Sequence, residues 1–288
     1  MFAPSFDYYR AKSVAEAGDL LRNNPGAKLL AGGHSLIPLL KLRLASPAAL
    51  IDIGRIAELR GIALKDGLVR IGALTTHAEI ADSATIRDNC PALAEAARTI
   101  GDPAVRNRGT IGGNIAHADP ASDLPTVLTA LGARFIISSG GQSKTSDAAS
   151  FFTGIMATTL GDNDLLVAVE VPVKKTAQGQ AYVKFSHPAS RYAVIGVAAV
   201  ITASGGKCTA AAVALGGLTT HAVRASSVEQ ALTGQPLSAD TIASAAAQVK
   251  LDLGSDVLGD VFASATYRAA VAPVWVKRAI TAAADRAK

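Results

Sequence analysis

The segment AGGHSLIPLLKLRL occupies residues 31–44, and its glycine pair 32–33 directly follows a short apolar run. A second segment, TIGGNIAHADPASDLP at residues 110–125, carries another glycine pair at 112–113. Adjacent glycines have no Cβ, so their backbone N–H groups can converge on an anion within hydrogen-bonding distance. We therefore expect two glycine turns from different parts of the chain to hold a ligand with two phosphates from both sides.

Each glycine pair could instead form only a tight turn after a strand, and the residues alone leave that alternative open. Ser35 and Thr110 beside the pairs favour ligand binding, because a hydroxyl adds a hydrogen-bond donor. A Rossmann dinucleotide site is a poor alternative. Its three glycine positions would fall on Gly32, His34 and Ile37, so only the first matches.

Around the first segment, residues 1–57 predict a small α/β unit. Ser13 and Glu16 have the spacing of a capping box and open an apolar-periodic stretch. Short apolar runs bounded by turn residues predict strands on either side of the glycine pair. The expected elements are a helix over 13–23 and strands over 27–31 and 49–53.

Around the second segment, residues 58–172 predict a second unit that ends with a proline after its last strand. Thr76 with Glu79, and separately Asp123, carry helix-capping signals, and a proline marks the first position of another helix. Residues 101–113 are expected to be a loop. The expected elements are strands over 68–72, 134–139 and 165–171 and helices from 76, over 91–100, over 123–131 and over 147–153.

Residues 173–288 predict a separate α+β domain, because strand-like runs come first and helices follow. Pro273 is expected to kink or interrupt the final helix. Trp275 and Tyr267 lie at helical spacing, which predicts a core or subunit contact rather than a cofactor site. The expected elements are strands over 180–186, 193–203 and 208–215, then helices over 227–232, 238–250 and 264–286.

The composition excludes several classes of protein. Of 288 residues, 49% are hydrophobic and 18% are charged, which predicts a folded chain with more than one packed unit. The net charge of +5 is dispersed and no nucleic-acid motif accompanies it, so attraction of an anionic ligand is its simpler use. The apolar run 194–203 is too short to span a membrane and residues 1–12 lack a signal-peptide pattern, so we expect a cytoplasmic location.

Metal and hydrolase chemistry have no sequence support. Cys90 and Cys208 lie far apart without a CxxC context, which indicates neither a disulfide framework nor a cluster-binding loop. The five histidines lack the spacing of a zinc site, and no Gly-x-Ser-x-Gly elbow is present. We expect no metal in this chain, so any iron–sulfur cluster would belong to another chain.

The segments at 31–44 and 110–125 closely resemble the two flavin-binding segments of a known family. This family comprises the FAD-binding medium subunit of carbon monoxide dehydrogenase and the flavin portions of xanthine dehydrogenase-type molybdenum hydroxylases. The likeness extends from Phe6 through the C-terminal helix, in matching order and spacing. It implies an α+β fold, with a two-subdomain FAD-binding fold (PCMH-type, as in vanillyl-alcohol oxidase-like flavoproteins) in residues 1–172 and a C-terminal domain of the carbon monoxide dehydrogenase flavoprotein type.

The resemblance also implies a set of residues that bind FAD non-covalently. The backbone of the glycine segments would hold the pyrophosphate, while Asn114 and Asp123 would lie near the sugar and ribityl hydroxyls. The segment at 164–166 matches the part of the family that lays an aliphatic residue beside the isoalloxazine ring. The full expected set is Ala31, Gly32, Gly33, His34, Ser35, Leu36, Thr110, Ile111, Gly112, Gly113, Asn114, Asp123, Leu165, Leu166, Lys184 and Tyr192.

Two members of this set are expected near the ring by the same resemblance. Lys184 matches a lysine at the polar edge of the ring, where positive charge favours a reduced, anionic flavin. Tyr192 in HPASRY, at residues 187–192, would face or shield the ring, although ordinary packing at a strand start is the alternative. This segment resembles the carbon monoxide dehydrogenase branch and lacks the acidic pair of xanthine dehydrogenases, which puts NAD in doubt as the acceptor.

The resemblance implies an electron-transfer subunit rather than a complete hydroxylase. Electrons would pass from an iron–sulfur small subunit through FAD to an external acceptor, and a large molybdopterin subunit would select the substrate. The expected assembly is a dimer of heterotrimers, with no nucleic acid and with a possible peripheral contact to the inner membrane through the complex. A self-contained FAD-dependent oxidoreductase of the same fold and a non-enzymatic dinucleotide-binding assembly protein are the alternatives.

Overall fold

The computed structural model describes residues 2–287. The strands, in chain order, are β1 (Asp7–Arg10), β2 (Lys28–Leu30), β3 (Ala49–Asp52), β4 (Ile62–Lys65), β5 (Leu68–Gly72), β6 (Arg134–Ser139), β7 (Gln142–Asp147), β8 (Phe152–Gly154), β9 (Ala157–Thr158), β10 (Asp164–Pro172), β11 (Gln178–Ser186), β12 (Ala193–Ser204), β13 (Lys207–Gly216) and β14 (Val223–Arg224). The α-helices are α1 (Val14–Asn23), α2 (Leu36–Lys41), α3 (His77–Asp82), α4 (Ala84–Asn89), α5 (Pro91–Thr99), α6 (Pro103–Arg106), α7 (Ile111–His117), α8 (Asp123–Ala130), α9 (Ala148–Phe151), α10 (Ser226–Leu232), α11 (Ala239–Ala247), α12 (Val249–Asp252) and α13 (Ala265–Arg286), and a short 3-10 helix spans Ala57–Leu59.

Each of the three sequence units contributes one main sheet. The first is parallel with the order β1-β3-β2, and the second is antiparallel with the order β4-β5-β10-β6-β7. The third, β11-β12-β13-β14, is also antiparallel, and β8 pairs with β9 in a small ribbon. The predicted α+β class is confirmed.

Helix α1 joins the first sheet to the second. The side chain of Ser13 accepts a hydrogen bond from the N–H of Glu16, as the capping-box spacing predicts. The buried face of α1 carries Ala17 and Leu21, which share one core with Leu165 of β10. This packing fixes the loop between β2 and α2 relative to the second sheet.

The C-terminal sheet is buried on both faces, so its central strand is apolar at nearly every position. Ile195 and Val197 of β12 pack in the same core as α13, whereas Ala198 and Val200 pack in the core that contains α5 and α8. Alternate side chains of a strand point to opposite faces of its sheet. The third sheet therefore lies between its own helices and the second unit.

The sequence missed six strands, which are β1, β4, β7, β8, β9 and β14. Four of them lie at the edges of larger sheets, the other two form the small ribbon, and β7 is the polar segment QSKTSD. An edge strand needs little burial, so hydrophobic alternation does not mark it. Helix α13 runs through Pro273 as one continuous helix, because it packs along the third sheet on both sides of the proline. Of the expected kink or interruption, the interruption is therefore wrong.

The predicted loop at 101–113 is also wrong. It contains α6, capped by the side chain of Asp102, and it ends inside the first turn of α7. None of the helices in residues 2–287 combines the length and apolar character that a membrane crossing requires.

Candidate cofactor-binding site

A cavity of about 820 Å³ lies where the units meet. This volume falls in the upper part of the range of about 300–1,000 Å³ that ligand and cofactor sites occupy. Its walls come from the β2–α2 loop, the start of α7, the segment from β9 to β10, and the loop before β12. The predicted site residues that border it are Ala31, Gly32, Gly33, His34, Ser35, Leu36, Thr110, Gly112, Gly113, Asn114, Asp123, Leu166 and Tyr192.

The first glycine pair leaves a run of backbone amides without partners. Gly33 has φ +78°, which a side chain rarely adopts, and its carbonyl accepts the N–H of Ile37 at the start of α2. Among residues 2–287, no hydrogen-bond acceptor is found for the amides of residues 32–36. We refer to this run as the amide loop. Consecutive free amides beside a cavity are the arrangement that binds anions.

The second glycine pair forms no turn, because Thr110 caps α7 and both glycines lie in the first helical turn. The amides here already have partners. The N–H groups of Ile111 and Gly112 donate to carbonyls at 3.0 and 2.8 Å, and that of Gly113 donates to Thr110 Oγ1 at 3.2 Å. The Asn114 amide donates to the Thr110 carbonyl at 3.0 Å. The pair therefore lies in a helix and not in the expected turn, whereas its contact with a diphosphate stays a prediction.

The glycines of the second pair serve close approach instead. A Cβ on Gly112 would lie 2.5 Å from the Cβ of Ala73, so this glycine lets α7 pack against the end of the second sheet. Gly113 is exposed and borders the cavity, where the missing side chain leaves bare helix backbone facing a ligand. The hydroxyl of Thr110 accepts from Gly113 but can still donate its own proton into the cavity.

Asp123 joins the cavity to the C-terminal sheet. This residue borders the cavity, and its carboxylate accepts hydrogen bonds from the Tyr182 hydroxyl at 2.5 Å and from Lys184 Nζ at 2.8 Å, both on β11. Burial raises the pKa of Asp123, and the positive charge of Lys184 and the two hydrogen bonds oppose that rise. Burial and the neighbouring carboxylate raise the pKa of Tyr182 well above its ordinary value, so its proton stays in the hydrogen bond.

Three predicted site residues do not border the cavity. The side chain of Lys184 is 3% exposed and lies behind Asp123, where Nζ also donates to the carbonyl of Thr99 at 3.2 Å. Leu165 belongs to the core around α1, whereas its neighbour Leu166 borders the cavity. The third, Ile111, is buried in the core of the second unit. Lys184 therefore holds Asp123 from behind and does not itself line the cavity.

Tyr192 borders the cavity from the opposite side, in the loop that precedes β12. Its carbonyl accepts the N–H of His187 at 2.8 Å, and the carbonyl of His187 accepts the N–H of Arg191 at 2.8 Å, which closes the loop on itself. The tyrosine remains 43% exposed. Burial and the negative charges of Asp119 and Asp123 raise the pKa of Tyr192, which keeps the phenol neutral.

Several residues border the cavity without having been predicted. The segment from β9 to β10 contributes residues such as Met156 and Asp162, but its sequence carries no recognisable motif. His77 also borders the cavity; the capping box of Thr76 and Glu79 that begins its helix was visible in the sequence, whereas the burial of His77 was not.

Comparison with known proteins gives two family models. The model described as "FAD binding domain in molybdopterin dehydrogenase" matches residues 4–174, and the model described as "CO dehydrogenase flavoprotein C-terminal domain" matches residues 180–283. Together they cover nearly the whole chain.

Similar individual proteins span the full length. The carbon monoxide dehydrogenase medium chain of Hydrogenophaga pseudoflava is 40% identical over 98% of both chains. The 6-hydroxypseudooxynicotine dehydrogenase complex subunit alpha of Paenarthrobacter nicotinovorans is 40% identical over 100% of this chain and 97% of its own. A solved carbon monoxide dehydrogenase from Hydrogenophaga pseudoflava superposes with a TM-score of 0.95, at 41% identity over 99% of both chains.

Proposed function

The chain belongs to the family of FAD-binding medium subunits of molybdenum hydroxylases, and from this premise we propose that it carries electrons between a partner's iron–sulfur clusters and an external acceptor. Family, fold, oxidoreductase class and FAD as cofactor are confirmed as predicted from the sequence. The two similar proteins named above belong to dehydrogenases with different substrates. Membership of the family therefore leaves the substrate of this chain's complex open.

The observation that carries the proposal is the fit between the cavity and FAD. The amide loop offers successive N–H donors for a diphosphate, and the Thr110 hydroxyl offers one more. Asp123 is a hydrogen-bond acceptor for sugar or ribityl hydroxyls. Leu166 and Ile100 supply apolar wall. FAD, when bound, supplies the capacity to accept and release electrons, and the protein contributes binding, orientation and charge.

Asp123 is held in one orientation by the C-terminal domain. Its two oxygens accept from Tyr182 and Lys184 respectively, so rotation of the carboxylate would break a buried hydrogen bond. A Cβ on Gly196 would lie 2.5 Å from the Tyr182 hydroxyl, so the strand next to β11 carries glycine where the phenol needs room. The network supports a role for the third sheet in fixing the ligand contacts of the first two units.

The need for partner subunits follows from the cysteines. The chain has two, and both are buried and unpaired, whereas an iron–sulfur cluster typically takes about four thiolates. Burial raises the pKa of the Cys90 thiol to about 12, so it stays protonated and cannot ligate metal readily. We propose that a small iron–sulfur subunit and a large molybdopterin subunit complete the enzyme, as a dimer of heterotrimers.

An aromatic surface on the C-terminal domain is the proposed contact for the small subunit. Phe185 stacks on Trp275 with ring centroids 5.5 Å apart, and Tyr267 and the half-exposed Phe262 extend the surface. The ring of Phe262 also lies against the ring of His187, with centroids 4.8 Å apart. His187 belongs to the loop that carries cavity residue Tyr192. Aromatic residues are enriched in protein interfaces, and an electron donor must lie close to the flavin. The continuity of this surface with the cavity favours the iron–sulfur subunit as its occupant.

Tandem purification from the native host tests the proposal. We expect three chain types, one FAD released from this chain by denaturation, and hydroxylase activity only in the complex. Tyr267→Ala and Trp275→Ala should reduce recovery of the small subunit. Leu64→Ala should not, because Leu64 is exposed on edge strand β4 and lies outside the C-terminal domain. A single chain that oxidises a substrate unaided would favour a self-contained flavoenzyme, and a chain that binds no FAD would favour an assembly protein.

A further inference from the structure

His77 is the first residue of α3 and borders the cavity, yet only 3% of its surface is exposed. Its N–H donates to the carbonyl of Gly109 at 3.0 Å. The preceding residue, Thr76, caps α3 and pairs with Thr110, the cap of α7. These bonds tie the starts of the two helices together, so the imidazole has a fixed position in the wall.

The ring of His77 has no hydrogen-bond partner among residues 2–287. Nδ1 is sealed in the interior without an acceptor or donor. The other edge of the ring lies beside Gly109, where an added Cβ would come within 2.8 Å of Nε2. Buried polar groups in native proteins are nearly always paired, and Nε2, unlike Nδ1, is not sealed, so it is the ring nitrogen whose hydrogen bonding a ligand in the cavity can complete.

The charge and tautomer of His77 follow from its surroundings. Burial, with a smaller contribution from His34, lowers the pKa of His77 to about 4, so the ring is neutral near pH 7 and carries one N–H. A buried acceptor without a partner is less costly than a buried donor without one. The proton is therefore expected on Nε2, because Nδ1 is the sealed nitrogen.

The amide loop is the neighbouring part of the cavity. A Cβ on Gly32 would collide with the carbonyl of Arg108 and lie 3.1 Å from the Cα of Gly109, whose other side faces the His77 ring. We propose that Nε2–H of His77 donates a hydrogen bond to a phosphate oxygen of the diphosphate held by the amide loop. This inference rests on the proposed FAD site and adds a side-chain donor to its backbone donors.

Titration of the flavin-free full chain with FAD and with ADP tests the contact. His77→Phe keeps an aromatic ring of similar size and removes both nitrogens, so both affinities should fall by the same factor, about ten-fold or more. His77→Gln can donate from near the Nε2 position and should restore most of the affinity for both ligands. Circular dichroism checks that each variant is folded.

The outcomes separate this contact from the cofactor site itself. Unchanged FAD and ADP affinities in His77→Phe would overturn the contact, and a loss for FAD without a loss for ADP would move it to the flavin half and overturn it as well. Wild-type chain that binds neither ligand would refute the proposed function. If His77→Phe does not fold, nitrogen NMR of the wild-type imidazole decides: we expect protonation on Nε2 and a shift of that resonance with ADP, and no shift overturns the contact.

Discussion

The two glycine pairs share a dipeptide and a cavity but occupy different backbone states. At 32–33 the chain turns through a positive φ, and a run of amides is left without partners. At 112–113 the chain is helical, and the amides of α7 are all engaged within the protein. The first pair supplies donors, whereas the second supplies room. A glycine pair in the sequence does not distinguish a phosphate-binding loop from a close helix contact. The two differ in whether the backbone N–H groups already have acceptors within the protein.

A valine in the second pair should mainly lower stability, whereas a valine in the first pair should mainly weaken FAD binding. Gly112→Val would push into Ala73, whose backbone oxygen lies 2.8 Å from the new Cβ, so we expect a loss of about 3 kcal/mol in the free energy of unfolding. Gly33→Val would cost about 2 kcal/mol through its left-handed φ, but FAD affinity should fall about 100-fold as the amide loop shifts.

Chemical denaturation and FAD titration measure the two effects side by side. The comparison predicts that Gly112→Val loses more stability and that Gly33→Val, once folded, loses more affinity. A folded Gly112→Val with the larger loss of affinity would mean that the second pair binds the diphosphate after all, as the sequence alone suggested.

The helix at the second pair could not be predicted, for a physical reason. Thr110 carries a helix-capping signal, but two glycines cost a helix about 1 kcal/mol each relative to alanine, so the local preference favours a turn. Packing of Gly112 on Ala73 compensates, and that contact joins residues far apart in the chain. Tertiary packing overrode local propensity here.

Other parts of the site were predictable because they depend on order along the chain. The resemblance carried the amide loop, Asp123 and Tyr192 to the cavity, where the structure has them. It could not show that Lys184 lies behind Asp123. The third sheet carries Lys184, and its packing against the second unit decides which of the two side chains borders the cavity. The burial of His77 was invisible for the same reason.

The burial of His77 should make the free energy of unfolding depend on pH. His77 has a pKa of about 4 in the folded chain, below the ordinary value near 6.5 for an unfolded histidine. The unfolded chain therefore binds a proton that the folded chain does not, and stability should fall as pH drops from about 6.5 to 4, by up to about 1.4 kcal/mol per pH unit.

Denaturation of the flavin-free chain between pH 4 and 7 measures this slope. His77→Phe should flatten it, so its stability difference from wild type should change most across that interval. His34→Asn, at an exposed position of the amide loop, removes only the smaller cause of the lowered His77 pKa and should keep most of the slope. Equal slopes in wild type and His77→Phe would show that the buried imidazole is not the source.

A methyl group at the bare helix surface should separate binding from stability. Gly113→Ala adds a Cβ 2.9 Å from Thr110 Oγ1, which can rotate, and alanine favours the helix by about 1 kcal/mol. We expect a melting temperature within a few degrees of wild type and an FAD affinity about ten-fold weaker, because the methyl occupies cavity surface. Unchanged affinity would mean that no ligand approaches α7 at this point.

The smallest expected effect compares the hydroxyl beside each pair. Ser35 makes no capping bond to α2, so Ser35→Ala should leave the free energy of unfolding within about 0.5 kcal/mol of wild type. Thr110 caps α7 through Gly113, so Thr110→Val should lower it by about 1 kcal/mol. Each variant removes one donor from the cavity and should weaken FAD binding by up to about ten-fold. Titration and denaturation of the two variants together therefore test whether the first hydroxyl serves only the ligand while the second serves both ligand and fold. Equal losses of stability would show that Ser35 also holds the backbone of the amide loop. The first segment would then serve both ligand binding and packing, as the second does.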